Sequence, residues 1–261
     1  MEESVPGLSG IFLDNKLLNS MPPILPDEVH LFHLDLDLPE SALRALAWNL
    51  TDEERDRARG MRFQVHRRRF VAAHGILNLL LSRYLSIPTS RLRFAKAKGG
   101  KPMLGLQELP FWQETPRPQD LRFNLSHSGD KALLAFAIGS DVGVDLEEER
   151  EDPLLTSLVS QYFSRGERDW FSTLEPEERT PAFYQCWTLK EAYLKAVGAG
   201  LAESLDSFDA YLRGEEVVFS LPENPRRGCS WLLRPIMMPD GFKGALAFQG
   251  KEFNLIFPHT F

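Results

Sequence analysis

Cysteine is almost missing. Cys186 and Cys229 are the two in 261 residues, too few and too far apart for a zinc cluster or a disulfide framework. No apolar run reaches the roughly 18 residues of a membrane helix, and Met1-Glu-Glu-Ser-Val-Pro6 lacks the basic lead-in of a secretory signal. The protein is therefore expected in the cytosol, without a membrane partner. Positive charge is in deficit: 30 Lys and Arg against 37 Asp and Glu leave a formal net charge of −7, which argues against a general nucleic-acid binder. Apolar residues make up 43% of the chain, enough at this length to bury a sizeable core in one large domain or two small ones. Cys186, beside Trp187, reads as a small buried hydrophobe.

Four segments carry chemistry: Lys98-Gly-Gly-Lys-Pro102, Phe123-Asn-Leu-Ser-His-Ser-Gly129, Val142-Gly-Val-Asp-Leu-Glu147 and Phe183-Tyr-Gln-Cys-Trp-Thr-Leu-Lys-Glu-Ala-Tyr-Leu-Lys195. In the third, Val142, Val144 and Leu146 alternate with Gly143, Asp145 and Glu147, the period of a half-buried strand, so Asp145 and Glu147 leave it on one face. Like charges about 4 Å apart repel by ~1 kcal/mol in water but ~4 kcal/mol in a partly dehydrated cleft, which calls for a cation or a proton. Hard oxygen ligands at this spacing suit Mg²⁺; a solvated acidic strand end fits the same residues. In the fourth segment, helical spacing puts Phe183, Trp187, Leu194 and Val197 on one arc and Glu191 and Lys195 on its flank, one turn apart. Glu191 and Lys195 can be an ordinary surface pair. Lys190 fits that reading poorly, because it projects into the apolar arc beside Trp187, where an ammonium needs a partner or a bound anion. The helix looks built to meet phosphate and metal.

Around these segments, residues 1–26 read as an irregular, proline-containing arm and Val29–Leu36 as a first strand, with His30 and His33 as surface or packing residues rather than ligands. Thr51 and Glu54 form a capping-box signature. Arginines 55, 57, 59, 62, 67, 68 and 69 then crowd one stretch of an acidic chain: a solvated helix face, or a patch that steers an anion. Phe70–Leu85 is a core helix ending before Ile87-Pro88. Lys96-Ala-Lys-Gly-Gly-Lys-Pro102 is a basic turn that can close a hairpin or surround a phosphate. Residues 104–119 read as an exposed excursion, and 121–125 with 132–138 as a hairpin with a buried outgoing strand, Ser126 and His127 at its mouth. Polar helices with a core stripe (Tyr162, Phe163, Trp170, Phe171) occupy 153–181. Gly198 stops the key helix, and strands follow near 207–220, 229–236 and 242–249.

Taken in order, Gly100-Lys-Pro102, Asn124-Leu-Ser-His-Ser128, Val142 to Glu147 and Trp187 to Lys195 resemble the 4′-phosphopantetheinyl transferases of the surfactin-synthetase-activating type. The resemblance implies an α+β fold: a pseudo-two-fold pair of similar halves, each a small, mostly antiparallel sheet packed on helices, with the active site in the cleft between them. A boundary at Gly139-Ser140 divides the chain into residues 1–139 and 140–261. It implies Mg²⁺-dependent transfer of 4′-phosphopantetheine from coenzyme A, a substrate, to a serine of an apo acyl or peptidyl carrier protein, releasing adenosine 3′,5′-bisphosphate. The metal would sit on Asp145, Glu147 and Glu191, with Lys101 and Lys195 beside the pyrophosphate. Glu191 would take the serine proton directly or through a water on the metal. Asp145, Glu191 and Lys195 are thus the expected catalytic residues. Lys96 to Lys101 would be a phosphate loop, Asn124, Ser126 and His127 cofactor contacts with His127 facing the 3′-phosphate, and Arg59, which precedes Phe63, a contact to the adenylate. A two-halved chain that completes its own cleft is expected to act as a monomer. The rival readings are another Mg²⁺-dependent nucleotide or phosphodiester enzyme and a non-catalytic module binding coenzyme A or a carrier protein.

Overall fold

Alternating apolar residues around Val29 form β1 (Glu28–Asp35), the first element of the computed structural model, which describes residues 22–97, 99–105, 120–198, 204–221 and 230–258. Three helices follow: α1 (Glu40–Ala47), α2 (Asp52–Gly60) and α3 (Gln64–Leu85). The expected capping box opens α2: the Thr51 hydroxyl accepts the Glu54 N–H at 3.2 Å, and the Glu54 carboxylate accepts the Thr51 N–H at 2.9 Å. α3 ends as expected, with Ser86 left-handed before Ile87-Pro88. Two hairpins complete this run, β2 (Phe94–Lys96) with β3 (Pro102–Leu104) and β4 (Leu121–Ser128) with β5 (Lys131–Ile138).

The same order then recurs. β6 (Val142–Glu148) is followed by α4 (Leu155–Tyr162), α5 (Arg165–Ser172) and α6 (Pro176–Val197). The hairpin β7 (Asp209–Arg213) with β8 (Glu216–Ser220) comes next, then β9 (Trp231–Ile236) with β10 (Phe242–Gln249). Each run builds its sheet from its first, last and next-to-last strands, β1-β5-β4 and β6-β10-β9, and each carries a 22-residue helix. This is the expected pseudo-two-fold α+β architecture. One element breaks the symmetry: β11 (Asn254–Ile256) pairs parallel with β1 and so joins the first sheet. The helix that carries Glu191 begins at Pro176, inside the stretch 153–181 read as polar helices. Pro176 takes the first helical position, where a missing N–H is no loss, and Pro181 lies in the second turn of α6.

The two sheets meet face to face over Val29, Leu31, Leu133 and Ala135 from one and Val142, Val144, Leu146 and Leu246 from the other. On the outer faces, α3 packs on Phe32, Leu134 and Phe136, and α6 packs on Ala245 and Ala247. His30 and His33 are buried packing residues, and burial holds both below the ordinary imidazole range. Cys186 is buried; Cys229, Lys98 and nearly all of the expected excursion at 104–119 lie outside the described residues. No helix among the described residues is long and apolar enough to cross a membrane.

One glycine sets how closely α6 approaches its sheet. A Cβ at Gly143 would stand 2.2 Å from the Ala192 carbonyl oxygen and 2.4 Å from the Ala196 nitrogen, both helix backbone. Gly143→Ala is therefore expected to push α6 outward and cost about 3 kcal/mol, the upper part of the usual range for overpacking. Denaturant unfolding at wild-type stability would contradict this.

Candidate active site

β6 lies beside β4, but side chains rather than carbonyls join them. Asn124 Oδ1 accepts the Val144 N–H at 2.9 Å, Ser126 Oγ the Leu146 N–H at 3.3 Å and Ser128 Oγ the Glu148 N–H at 3.1 Å. Each acceptor is 20 residues before its donor, so the strands run parallel in one register. The pleat explains the division of labour: Asn124, Ser126 and Ser128 turn toward β6, while Phe123 turns toward α3 and His127 into a cavity beside it.

On β6, Val144 and Leu146 go into the inter-sheet core, which turns Gly143, Asp145 and Glu147 toward α6. Asp145 is 2% exposed. Its Oδ1 accepts Lys195 Nζ at 2.5 Å and Ser126 Oγ at 2.9 Å, and its Oδ2 is buried without a partner. Lys195 thus pairs with Asp145 across the two elements, not with Glu191 one turn before it, and the surface-pair reading falls away. Burial, then the Asp145 charge, pushes the Glu147 and Glu191 carboxyls above the ordinary range; Glu191 raises Glu147 further. Glu147 also accepts Ser128 Oγ at 2.9 Å. The three expected acidic residues share one electrostatic neighbourhood, although among the described residues no three His, Cys, Asp or Glu form a ready metal cage.

Two cavities adjoin this cluster. The larger, about 580 Å³, is lined by Glu191 and Lys195 with Leu194, Tyr162, Gly99 and Lys101. The smaller, about 280 Å³, is lined by Arg57, His74, Lys96 and His127, and both include Pro102, Asn124 and Leu125. Glu53 and Glu54 line the smaller one too, but the charges that bear on His127 are positive. Burial first, then His74, Lys195, Arg57 and His66, hold His127 below the ordinary imidazole range.

Several expected contacts are placed differently. Arg59 is exposed, pairs with Asp56 at 3.0 Å and does not line either cavity; Arg57, two residues earlier, does. The Lys101 ammonium is turned into the protein, donating to the Val142 and Ala196 carbonyls at 2.9 Å each, and burial lowers its pKa to about 8. It ties the turn after β2 to the start of β6 and the end of α6. Ser126 donates to Asp145 and accepts from Leu146 N–H and Lys195, the full capacity of a hydroxyl. No hydrogen bond remains on it for a phosphate. Lys190, expected to need a partner or a bound anion, has internal partners: it is fully buried on Glu167 Oε1 (2.6 Å) and the Phe208 carbonyl (2.5 Å), over the Phe208 ring.

Residues 39–138 match the family model described as the 4′-phosphopantetheinyl transferase N-terminal region, and residues 141–244 the model of the 4′-phosphopantetheinyl transferase superfamily. The chain is 36% identical over 236 residues to 4′-phosphopantetheinyl transferase HetI of Nostoc sp. (strain PCC 7120), covering 90% of this chain and 94% of that protein. It belongs to the 4′-phosphopantetheinyl transferase family. The transferase is also 26% identical over 198 residues to Sfp of Bacillus subtilis (strain 168), covering 76% of this chain and 82% of Sfp. A holo-(acyl-carrier-protein) synthase of Bacillus anthracis, solved with CoA (3′,5′-ADP), aligns over 42% of this chain and 94% of its own at 19% identity and a TM-score of 0.36.

Within the transferase, the residues missed at the sequence level are those whose partners are distant. Ser128 and Gly143 left weak signals: an Asn-x-Ser-x-Ser alternation, and a glycine inside a strand, which often marks close backbone approach. Arg57 was hidden among seven arginines. His74 is aimed by Glu54, 2.8 Å from its Nδ1. Glu167 sits 23 residues before its partner Lys190.

Proposed function

We propose that this transferase moves 4′-phosphopantetheine from coenzyme A to a serine hydroxyl of an apo acyl or peptidyl carrier protein, releasing adenosine 3′,5′-bisphosphate, with Mg²⁺ required. It acts as a monomer in the cytosol. The observation that carries this reading is the meeting of Asp145, Glu147, Glu191 and Lys195 where a cavity holding Arg57, Lys96 and His127 joins a larger, partly apolar one. A substrate with a phosphorylated head and a long uncharged arm suits that pair of spaces. Residues 1–139 supply the smaller cavity and 140–261 supply Asp145, Glu147 and Glu191, with β11 crossing back to the first sheet.

The donor set fits Mg²⁺. Asp145 Oδ2 is a buried carboxylate oxygen without a partner, and burial, then the Asp145 charge, raises the Glu147 and Glu191 carboxyls, which a bound cation would offset. An ion held by Asp145, Glu147 and Glu191 would neutralise charge on the pyrophosphate oxygens, the rest of its shell left to phosphate and water. Arg57, Lys96 and His127 receive the phosphorylated adenylate end. Lys195, held by Asp145 and Ser126 at the wall of the larger cavity, faces charge that develops during transfer. Glu191 lines that cavity and takes the serine proton, directly or through water.

The test is incubation of the purified protein with coenzyme A and an apo carrier. Mass spectrometry is expected to show the carrier heavier by one phosphopantetheine and adenosine 3′,5′-bisphosphate released, with turnover lost in excess chelator and restored by Mg²⁺. An unmodified carrier at saturating coenzyme A and Mg²⁺ overturns the function, and full turnover in chelator overturns the metal.

A further inference from the structure

Ser126 and Ser128 make the same pair of bonds, two residues apart. Ser126 Oγ donates to Asp145 Oδ1 at 2.9 Å and accepts the next residue's N–H, Leu146, at 3.3 Å. Ser128 Oγ donates to Glu147 Oε2 at 2.9 Å and accepts the Glu148 N–H at 3.1 Å. Each hydroxyl therefore grips a carboxylate and the peptide immediately after it. The grip fixes where the side chain stands and which oxygen it presents, because the oxygen bonded to serine is turned toward β4. On Asp145 the other oxygen, Oδ2, is the buried one without a partner. Neither serine lines either cavity, whereas His127 between them lines the smaller one, beside Arg57 and Lys96. One strand thus presents a cofactor-facing residue on one side and two carboxylate-orienting hydroxyls on the other.

We infer that Ser126 and Ser128 are positioning residues that orient Asp145 and Glu147 for the divalent ion, and that through them β4 holds the carboxylates of the second half in register with the cofactor cavity of the first. This rests on the metal assignment made above. Main-chain pairing between β4 and β6 would fix the strands but leave both carboxylates free to turn. Hydroxyls in place of the carbonyls do both, which gives the alternation Asn124-x-Ser126-x-Ser128 a physical reason. Groups behind metal ligands typically change metal affinity or activity by 10–100-fold when removed.

Ser128 is the cleaner test, since Ser126 also holds Lys195. Mg²⁺ is titrated calorimetrically into the protein–coenzyme A complex without carrier, and the Mg²⁺ dependence of transfer is measured in parallel. Ser128→Ala is expected to weaken Mg²⁺ binding by about 10-fold or more and to raise the half-saturating Mg²⁺ concentration alike. The KM for coenzyme A should stay near wild type, and Ser128→Thr, which keeps the hydroxyl, should recover most of the loss. Should Ser128→Ala not fold, Ser128→Cys, close in volume and a weak hydrogen-bonding group, is measured in its place. An unchanged Mg²⁺ affinity in a folded variant, with wild type still needing the ion, overturns this inference alone. Wild-type turnover in chelator overturns the metal assignment beneath it.

Discussion

Asp145→Ala is expected to abolish transfer to an apo carrier, by roughly 10³-fold or more in rate, with little change in melting temperature. The side chain does three things at once: it accepts Lys195, accepts Ser126 and leaves one buried oxygen free. Truncation releases the Lys195 ammonium from its ion pair, removes the central charge that Glu147 and Glu191 share, and takes away the most deeply buried candidate ligand. The fold should survive, because Val144 and Leu146 still fill the inter-sheet core and Lys195 is partly exposed, so no isolated charge is sealed inside. Single-turnover transfer followed by mass spectrometry, beside a thermal melt, checks both halves of this expectation. Near-wild-type transfer at saturating Mg²⁺ would remove Asp145 from the site.

Glu167→Ala should have the largest effect on stability, about 3–5 kcal/mol, the usual result of leaving one charge of a buried pair behind. Glu167 accepts Lys190 Nζ at 2.6 Å, the Ala210 N–H at 2.7 Å and the Ser164 N–H at 2.8 Å, all buried. It thereby joins the start of α5, the middle of α6 and the start of β7. Lys190 is fully buried and has the Phe208 carbonyl as its remaining polar partner. Replacing both charges, as Glu167→Leu with Lys190→Met, is expected to recover much of the loss, since an apolar pair carries no desolvation penalty. Denaturant unfolding measures this. A Glu167→Ala loss below about 1 kcal/mol would show that Lys190 finds water, contrary to its burial here.

Lys190 also marks the limit of local reading. Its position on an apolar arc correctly signals an ammonium in need of a partner, but helical periodicity says nothing about which one. The partner lies on another helix and carries no motif, so a bound anion and an internal carboxylate look alike in sequence. Arg59 and Arg57 show the same limit from another side. Two residues on a helix differ by about 200° in direction, so of two arginines equally basic in sequence one lines the cavity and the other faces solvent.

By itself the sequence determined the elements and their polarity. The strand alternation puts Asp145 and Glu147 on one face, the helical spacing puts Glu191 beside Lys195, Thr51 and Glu54 start α2, and Gly198 ends α6. These follow from short-range periodicity and capping, which act within a few residues. Tertiary structure alone decided the pairings: Lys195 with Asp145, Ser128 with Glu147, Lys101 with two carbonyls, and Lys190 with Glu167. Such contacts depend on how closely Gly143 admits α6 and on the parallel register of β4 and β6. Both arise when separated segments pack, and no periodicity along the chain encodes which side chain then lies opposite which.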